Sequence, residues 1–306
     1  MGKASRRRRA GNDNLHRTGT GDLSAAPAPF VARPFEGLTG ETDWVAIREV
    51  VPAATATVTF AEGAVASGGP QTATVATVLP MSWSGLRRAD GEVMVGLQSG
   101  TTTGDASRDV AQVLLASAAS EAGTPLPSAP LATAQTPRLQ DVLDPDAPFE
   151  VTLHAGFDFW VPDTDDLDDE GRQSMEQANS SVIPTTKLES APAAYWCQVG
   201  ERHFLRWVLP HDEDAATDAL ARLHAASASS LGAGTRLLGA FRACGLLVPV
   251  WDLDPALAGA DYEDALAQLV VRLDEALALG GPHGGPLSGE ERRARSGLLS
   301  RQVTLR

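Results

Sequence analysis

From Pro34 onward, apolar and polar positions recur at periods that assign elements directly. Thr42-Asp-Trp44-Val-Ala-Ile47-Arg-Glu-Val50-Val51 spaces its apolar residues as a helix does, behind a capping-type Thr42, and Pro52 stops it. Ala54–Phe60 alternates threonine with apolar residues, the pattern of a half-buried strand. Gly63, Gly68, Gly69 and Pro70 interrupt the pattern, and Thr72–Leu79 alternates again. Glu92–Leu97 predicts a third strand. An Ala- and Leu-rich helix opens at Asp105, runs to about Glu121 and is ended by Gly123. Residues 34–123 thus predict a first α+β domain of order α-β-β-β-α.

Residues 124–148 hold six prolines and little periodicity, which reads as a linker in which Arg138–Leu143 is a short helical candidate. The pattern resumes over 149–280, a second domain that carries 11 of the 16 aromatic residues. Phe149–Trp160 reads as a strand or an extended apolar segment. An acidic loop leads into a helix from about Asp168 to Ser181. Ala193–Val199 and Arg202–Leu209 predict a hairpin, followed by a helix from about Asp212 to Ser229. Thr235–Ala243 and Leu246–Leu253 predict a second hairpin, followed by a helix from about Asp261 to Leu279. Asp218-Ala-Leu-Ala-Arg-Leu223 and Asp264-Ala-Leu-Ala-Gln-Leu269 agree at five of six positions, each in a helix that follows a hairpin. The predicted order is α-β-β-α-β-β-α, helices on one face of an antiparallel sheet. The fold class is therefore α+β, with two domains of antiparallel sheets flanked by helices.

Charge adds a third division. The 306-residue chain has a net charge of −14. Residues 1–33 carry +5, residues 34–288 carry −22 and residues 289–306 carry +3. An acidic body lies between basic ends. The first 33 residues are too polar to bury a core and read as a disordered basic tail. Its Arg6, Arg7, Arg8 and Arg9 are the candidate contact to nucleic acid or ribosome, through release of counterions. The −22 body argues against any such contact elsewhere. Residues 281–306 read as a basic C-terminal arm. Two cysteines, Cys197 and Cys244, make no disulfide framework, no apolar run reaches membrane-spanning length, and no signal peptide precedes the body. These features suit a cytoplasmic protein without a membrane segment.

Few strings carry chemistry. Gly96-Leu-Gln-Ser-Gly-Thr-Thr-Thr-Gly104-Asp105 links a strand to a helix start, where an anion is favoured, but it lacks the Gly-Lys-Ser/Thr of a nucleotide loop, and Asp105 puts a carboxylate where a phosphate would sit. The acidic run Asp163–Glu170 lacks the spacing of a calcium loop, with Leu167 in its middle. His154 and Asp158 supply two of the three ligands a catalytic metal needs. Met81-Ser-Trp-Ser84-Gly85 lacks the first glycine of a nucleophile elbow. Cys197 lies on an apolar strand and pairs with His203 only across a hairpin. No cofactor is implied, and no catalytic residue is assigned.

Two segments stand out as binding candidates. On the second hairpin, Arg236 and Arg242 are six residues apart and so predict one shared strand face. Pro249, unable to donate to a ladder, predicts that the following strand is an edge. That edge, with the arginines and Trp251, would accept an acidic or extended peptide. The other is the C-terminal arm, where Arg292, Arg293 and Arg295 accompany Leu298, Leu299, Val303 and Leu305 in a basic helix that docks on a partner or on the acidic body.

Three strings, Arg33–Val58, Gly245–Asp252 and Arg292–Arg306, resemble an uncharacterised actinobacterial protein family of unknown function. The resemblance implies no catalytic residues. Labels attached automatically to such proteins include topoisomerase and preprotein translocase subunit, and neither is supported, since the nucleotide loop and cysteine-rich metal motif are missing. At fold level the second domain is similar to the secretion-chaperone-like fold, which often dimerises. The expectation is a non-enzymatic, homo-oligomeric binding or adaptor protein with a protein partner. The alternatives are a nucleic-acid- or ribosome-associated protein acting through its arginine arm, and a metal-dependent hydrolase around His154, Asp158 and the acidic loop.

Overall fold

The computed structural model describes residues 26–98, 103–163, 167–280 and 285–300. Its first sheet is built from β1 (Ala54–Thr59), β2 (Thr72–Ala76), β3 (Gly85–Arg87), β4 (Val93–Gly96), β5 (Thr124–Leu126) and β6 (Val151–Leu153), in the order β5-β3-β4-β2-β1-β6. All pairs are antiparallel except β2 with β4. The alternation in β1 comes out as expected: Ala54, Ala56 and Val58 are buried, and the threonines between them face the other way. That inner face packs on α1 (Glu41–Glu49) and α2 (Ala106–Ala119).

Helix α2 starts at Asp105, whose carboxylate accepts from the Ser107 amide at 3.1 Å. The residue is fully buried, with the guanidinium nitrogens of Arg108 at 3.3 Å and Arg138 at 3.2 Å. Arg138 belongs to the proline-rich stretch, which is structured. It holds β5 and α3 (Leu139–Val142), and Leu139, Val142 and Leu143 lie in the first core. Short elements between prolines give too few residues for periodicity to register.

The second sheet comprises β7 (Thr185–Leu188), β8 (Ala194–Val199), β9 (Arg202–Trp207), β10 (Arg236–Ala243) and β11 (Leu246–Leu253), in the order β10-β11-β9-β8-β7, antiparallel throughout. It has one strand more than expected: β7 follows Pro184 and is only four residues long. Helix α4 (Asp169–Asn179) precedes it, while α5 (Glu213–Ala225), α6 (Glu263–Ala278) and α7 (Gly289–Ser300) follow in the predicted helical regions. The two similar six-residue strings serve one core, because Leu220, Leu223, Leu266 and Leu269 all pack beneath the same sheet face with Trp251 and Leu253.

Helix α1 joins the two sheets. Trp44, Val45, Ala46 and Ile47 are at most 1 % exposed. They share one apolar cluster with Val58, Val75 and Val95 of the first sheet and Tyr195, Val208, Leu246 and Val248 of the second. Trp44 stacks between Phe35 and Phe149, at 5.7 and 4.3 Å between ring centres. The polar ends of α1 are equally engaged: Asp43 accepts from Tyr195 at 3.1 Å and Lys187 at 3.0 Å, and Arg206 donates to the Val50 carbonyl at 3.3 Å. A short helix that is apolar on all sides is a buried one.

The four aromatic residues of 149–160 pack against the first sheet. Phe149 covers Trp44, while Phe157, Phe159 and Trp160 gather with Met175 of α4 over its threonine face. Among the described residues no helix is long and apolar enough to cross a membrane.

Candidate interaction surface

The β10–β11 hairpin is positioned by its neighbours. β11 pairs with β10 on one side and β9 on the other, so it is an interior strand. Pro249 is tolerated because the ladder to β9 begins one residue later, at Val250. The edge is β10, and among the described residues no strand pairs with its outer side. At the opposite end of this sheet, β7 lies close to β6 of the first sheet.

β10 contains a bulge. Leu237 lies opposite Trp251 and Gly239 opposite Val250, leaving Leu238 unpaired. The extra residue resets the alternation, so the expectation of one shared face for Arg236 and Arg242 fails. Arg236 lies opposite Asp252, on the face of Phe204 and Val250, with its guanidinium 3.7 Å from the Asp252 carboxylate. Arg202 reaches the same carboxylate at 2.9 Å and lies 4.9 Å from the Phe204 ring centre. Arg242 lies opposite Leu247, on the helix-covered face, and makes a two-pronged ion pair with Glu213 of α5. That carboxylate holds its guanidinium above the ordinary pKa. The arginine side chains remain 70 % and 59 % exposed. Trp251 does not belong to this surface. It is fully buried, stabilises the second core, and donates its indole N–H to the Ser229 carbonyl at 2.7 Å.

The C-terminal helix α7 lies against α5 and β10. Arg295 bridges Asp214 and Asp218, each at 2.6 Å, and Leu298 enters the second core. Arg293 is 3.9 Å from Glu290, and Arg292 donates to the Leu287 carbonyl at 2.5 Å, so both serve their own helix. Of the three arginines, Arg295 alone fastens α7 to another described element. The carboxylates of α5 that receive Arg242 and Arg295 were missed in the sequence; the signal available was the acidic first turn of α5, ordinarily read as solvated. Arg6, Arg7, Arg8 and Arg9 lie outside the described residues.

A cleft of about 300 Å³ opens where α1, the start of α2, the 30–34 segment and the β10–β11 turn meet. Arg48, Thr103, Arg242 and Cys244 line it. Gly245 is required here: its φ is +80°, and a Cβ would stand 2.5 Å from the Ala32 carbonyl oxygen. Burial pushes the Cys244 thiol up to about 11, so it carries no thiolate near neutrality. Cys197 is likewise raised by burial.

The remaining sequence candidates have structural partners. His154 shares a 2.8 Å hydrogen bond with Thr55 of β1, and burial lowers its pKa. Asp158 accepts from Asn179 at 3.1 Å, which in turn accepts the Phe157 amide at 2.7 Å. Asp168 caps α4 through the Gly171 amide at 2.8 Å. His203 packs edge-on against Trp196 rather than against Cys197. Among the described residues no three His, Cys, Asp or Glu side chains are grouped to hold a metal ion.

Comparisons with curated proteins and with solved structures return no match. Residues 34–306, the span that carries both sheets, match the model of a family of unknown function (DUF5926), and the chain belongs to that family.

Proposed function

We propose that this chain is a non-enzymatic binding or adaptor protein of the cytoplasm, whose partner contributes an extended acidic segment to the outer side of β10. One observation carries this reading: β10 is a terminal strand with a well-exposed arginine on each of its faces. A strand added there gains main-chain hydrogen bonds, and its alternate side chains meet Arg236 on one face and Arg242 on the other. Acidic side chains suit both. A second copy of β10 suits neither, because that strand brings two more arginines and no carboxylate to the ladder.

The test is affinity capture of the intact protein from its own cytosol after nuclease treatment, beside the Arg236→Glu, Arg242→Glu double variant. The reading expects a protein captured by the natural chain and lost by the variant, with the variant still unfolding cooperatively. Equal capture by both overturns it. The nucleic-acid reading concerns Arg6–Arg9 and has its own test: salt-sensitive nucleic-acid binding that survives deletion of residues 1–32 counts against the arm.

A further inference from the structure

Helix α7 lies along α5 and against β10. Leu298, 3 % exposed, is its one fully buried side chain among those described. It sits between α5 and β10, against Thr217, Leu220, Ala240 and Leu247. Ala294 is partly buried beside it. The polar fastening is Arg295, clamped between two carboxylates one turn apart on α5. Asp214 of that pair is 84 % exposed, so its arm of the clamp is open to screening by salt, while Arg295 and Asp218 are partly buried.

The helix also carries its own start signal: Ser288 and Glu291 cap each other, the Ser288 amide donating to the Glu291 carboxylate at 2.6 Å and the Glu291 amide to the Ser288 hydroxyl at 3.2 Å. Those bonds hold the Glu291 carboxyl below its ordinary pKa. None of them depends on docking.

We propose that α7 is a reversible latch over the groove between α5 and β10. Docked, it covers Leu220, Ala240 and Leu247 on the helix-side face of the edge strand. Released, it uncovers an apolar groove rimmed by Glu213, Asp214 and Asp218, and leaves the β10 edge open on that side. The occupant is this chain's own α7, because its one buried leucine and its clamped arginine fit the groove as it stands. The latch goes beyond the acidic-partner reading and does not depend on it, and its test needs no partner.

Hydrogen exchange on the full chain measures it directly. Raising ionic strength from ~0.1 M to ~1 M shortens the screening length from about 10 Å to about 3 Å. Exchange in α7 should then rise severalfold while α6 stays constant, and Arg295→Gln should remove most of that salt response. Leu298→Asp should speed exchange in α7 by about tenfold or more and should also deprotect β10 around Ala240. Exchange in α7 that follows α6 at both salt concentrations, in the natural chain and in Arg295→Gln, overturns the latch. So does α7 protection that rises with protein concentration together with a dimer on sizing, which would make a second copy's α7 the occupant. The salt series needs no variant, so the test stands even if Leu298→Asp fails to fold.

Discussion

Helix α1 has nine residues and helix α7 twelve, and they are fastened in opposite ways. α1 sets four consecutive side chains, Trp44 to Ile47, into a core shared by two sheets. Its charged ends are satisfied by residues about 150 positions away, Lys187 and Tyr195 among them. α7 has a self-made cap, one fully buried leucine and a doubly paired, partly exposed arginine. Ion pairs alone would rank α7 as well held as α1. Buried area ranks α1 above α7, because exposed pairs contribute roughly 0–1 kcal/mol each while a buried large side chain contributes several times that.

Substitutions should separate the two helices, beginning with the largest effect. Trp44→Ala removes the ring stacked on Phe35 and Phe149 and should cost about 3–5 kcal/mol in denaturant unfolding, with both sheets melting together. If only the first sheet melts earlier, α1 does not couple the two. Leu298→Ala should cost about 2 kcal/mol, near the low end for buried leucine, since the groove opens to solvent; near-global loss of folding would mean that α7 is part of the main core. Tyr195→Phe deletes a hydrogen bond to Asp43, which keeps Lys187, and should cost about 1 kcal/mol. Arg295→Gln should cost less than about 1 kcal/mol at low salt and almost nothing at high salt. A larger, salt-independent loss would show that its pairs are not screened.

A pH titration adds a control that touches neither helix. His154 is hydrogen-bonded to Thr55, and burial lowers its pKa from 6.5 in the folded chain. The unfolded chain therefore takes up this proton first as pH falls. Its contribution to stability is fully present above about pH 6.5 and declines below it. The decline should be absent in His154→Asn, whichever helix is monitored.

Much of this architecture was legible locally. The threonine alternation located β1 and β2, the Asp105 signal located α2, and the second hairpin was placed nearly to the residue. What escaped was whatever depends on distant partners or on a one-residue count. The helical period marked α1, but its burial on every side came from β8, β9 and β11, far along the chain. Arg138 looked like linker because its partner, Asp105, is 33 positions earlier. Pro249 suggested an edge because nothing local reveals where the ladder to β9 stops. At the candidate surface, Arg236 and Arg242 were identified as exposed cations, but their faces were misassigned, since strand parity presumes an unbroken ladder.

The bulge at Leu238 gives β10 one more residue than the stretch of β11 it spans. That surplus is a phase offset, and its position along the strand is a matter of local packing rather than of covalent structure. Carried to the N-terminal end of β10, it would leave Arg242 where it is and turn Arg236 through half a rotation, onto the face of Arg242. The edge would then change from a strand charged on both sides to one charged on a single side, with no change in sequence.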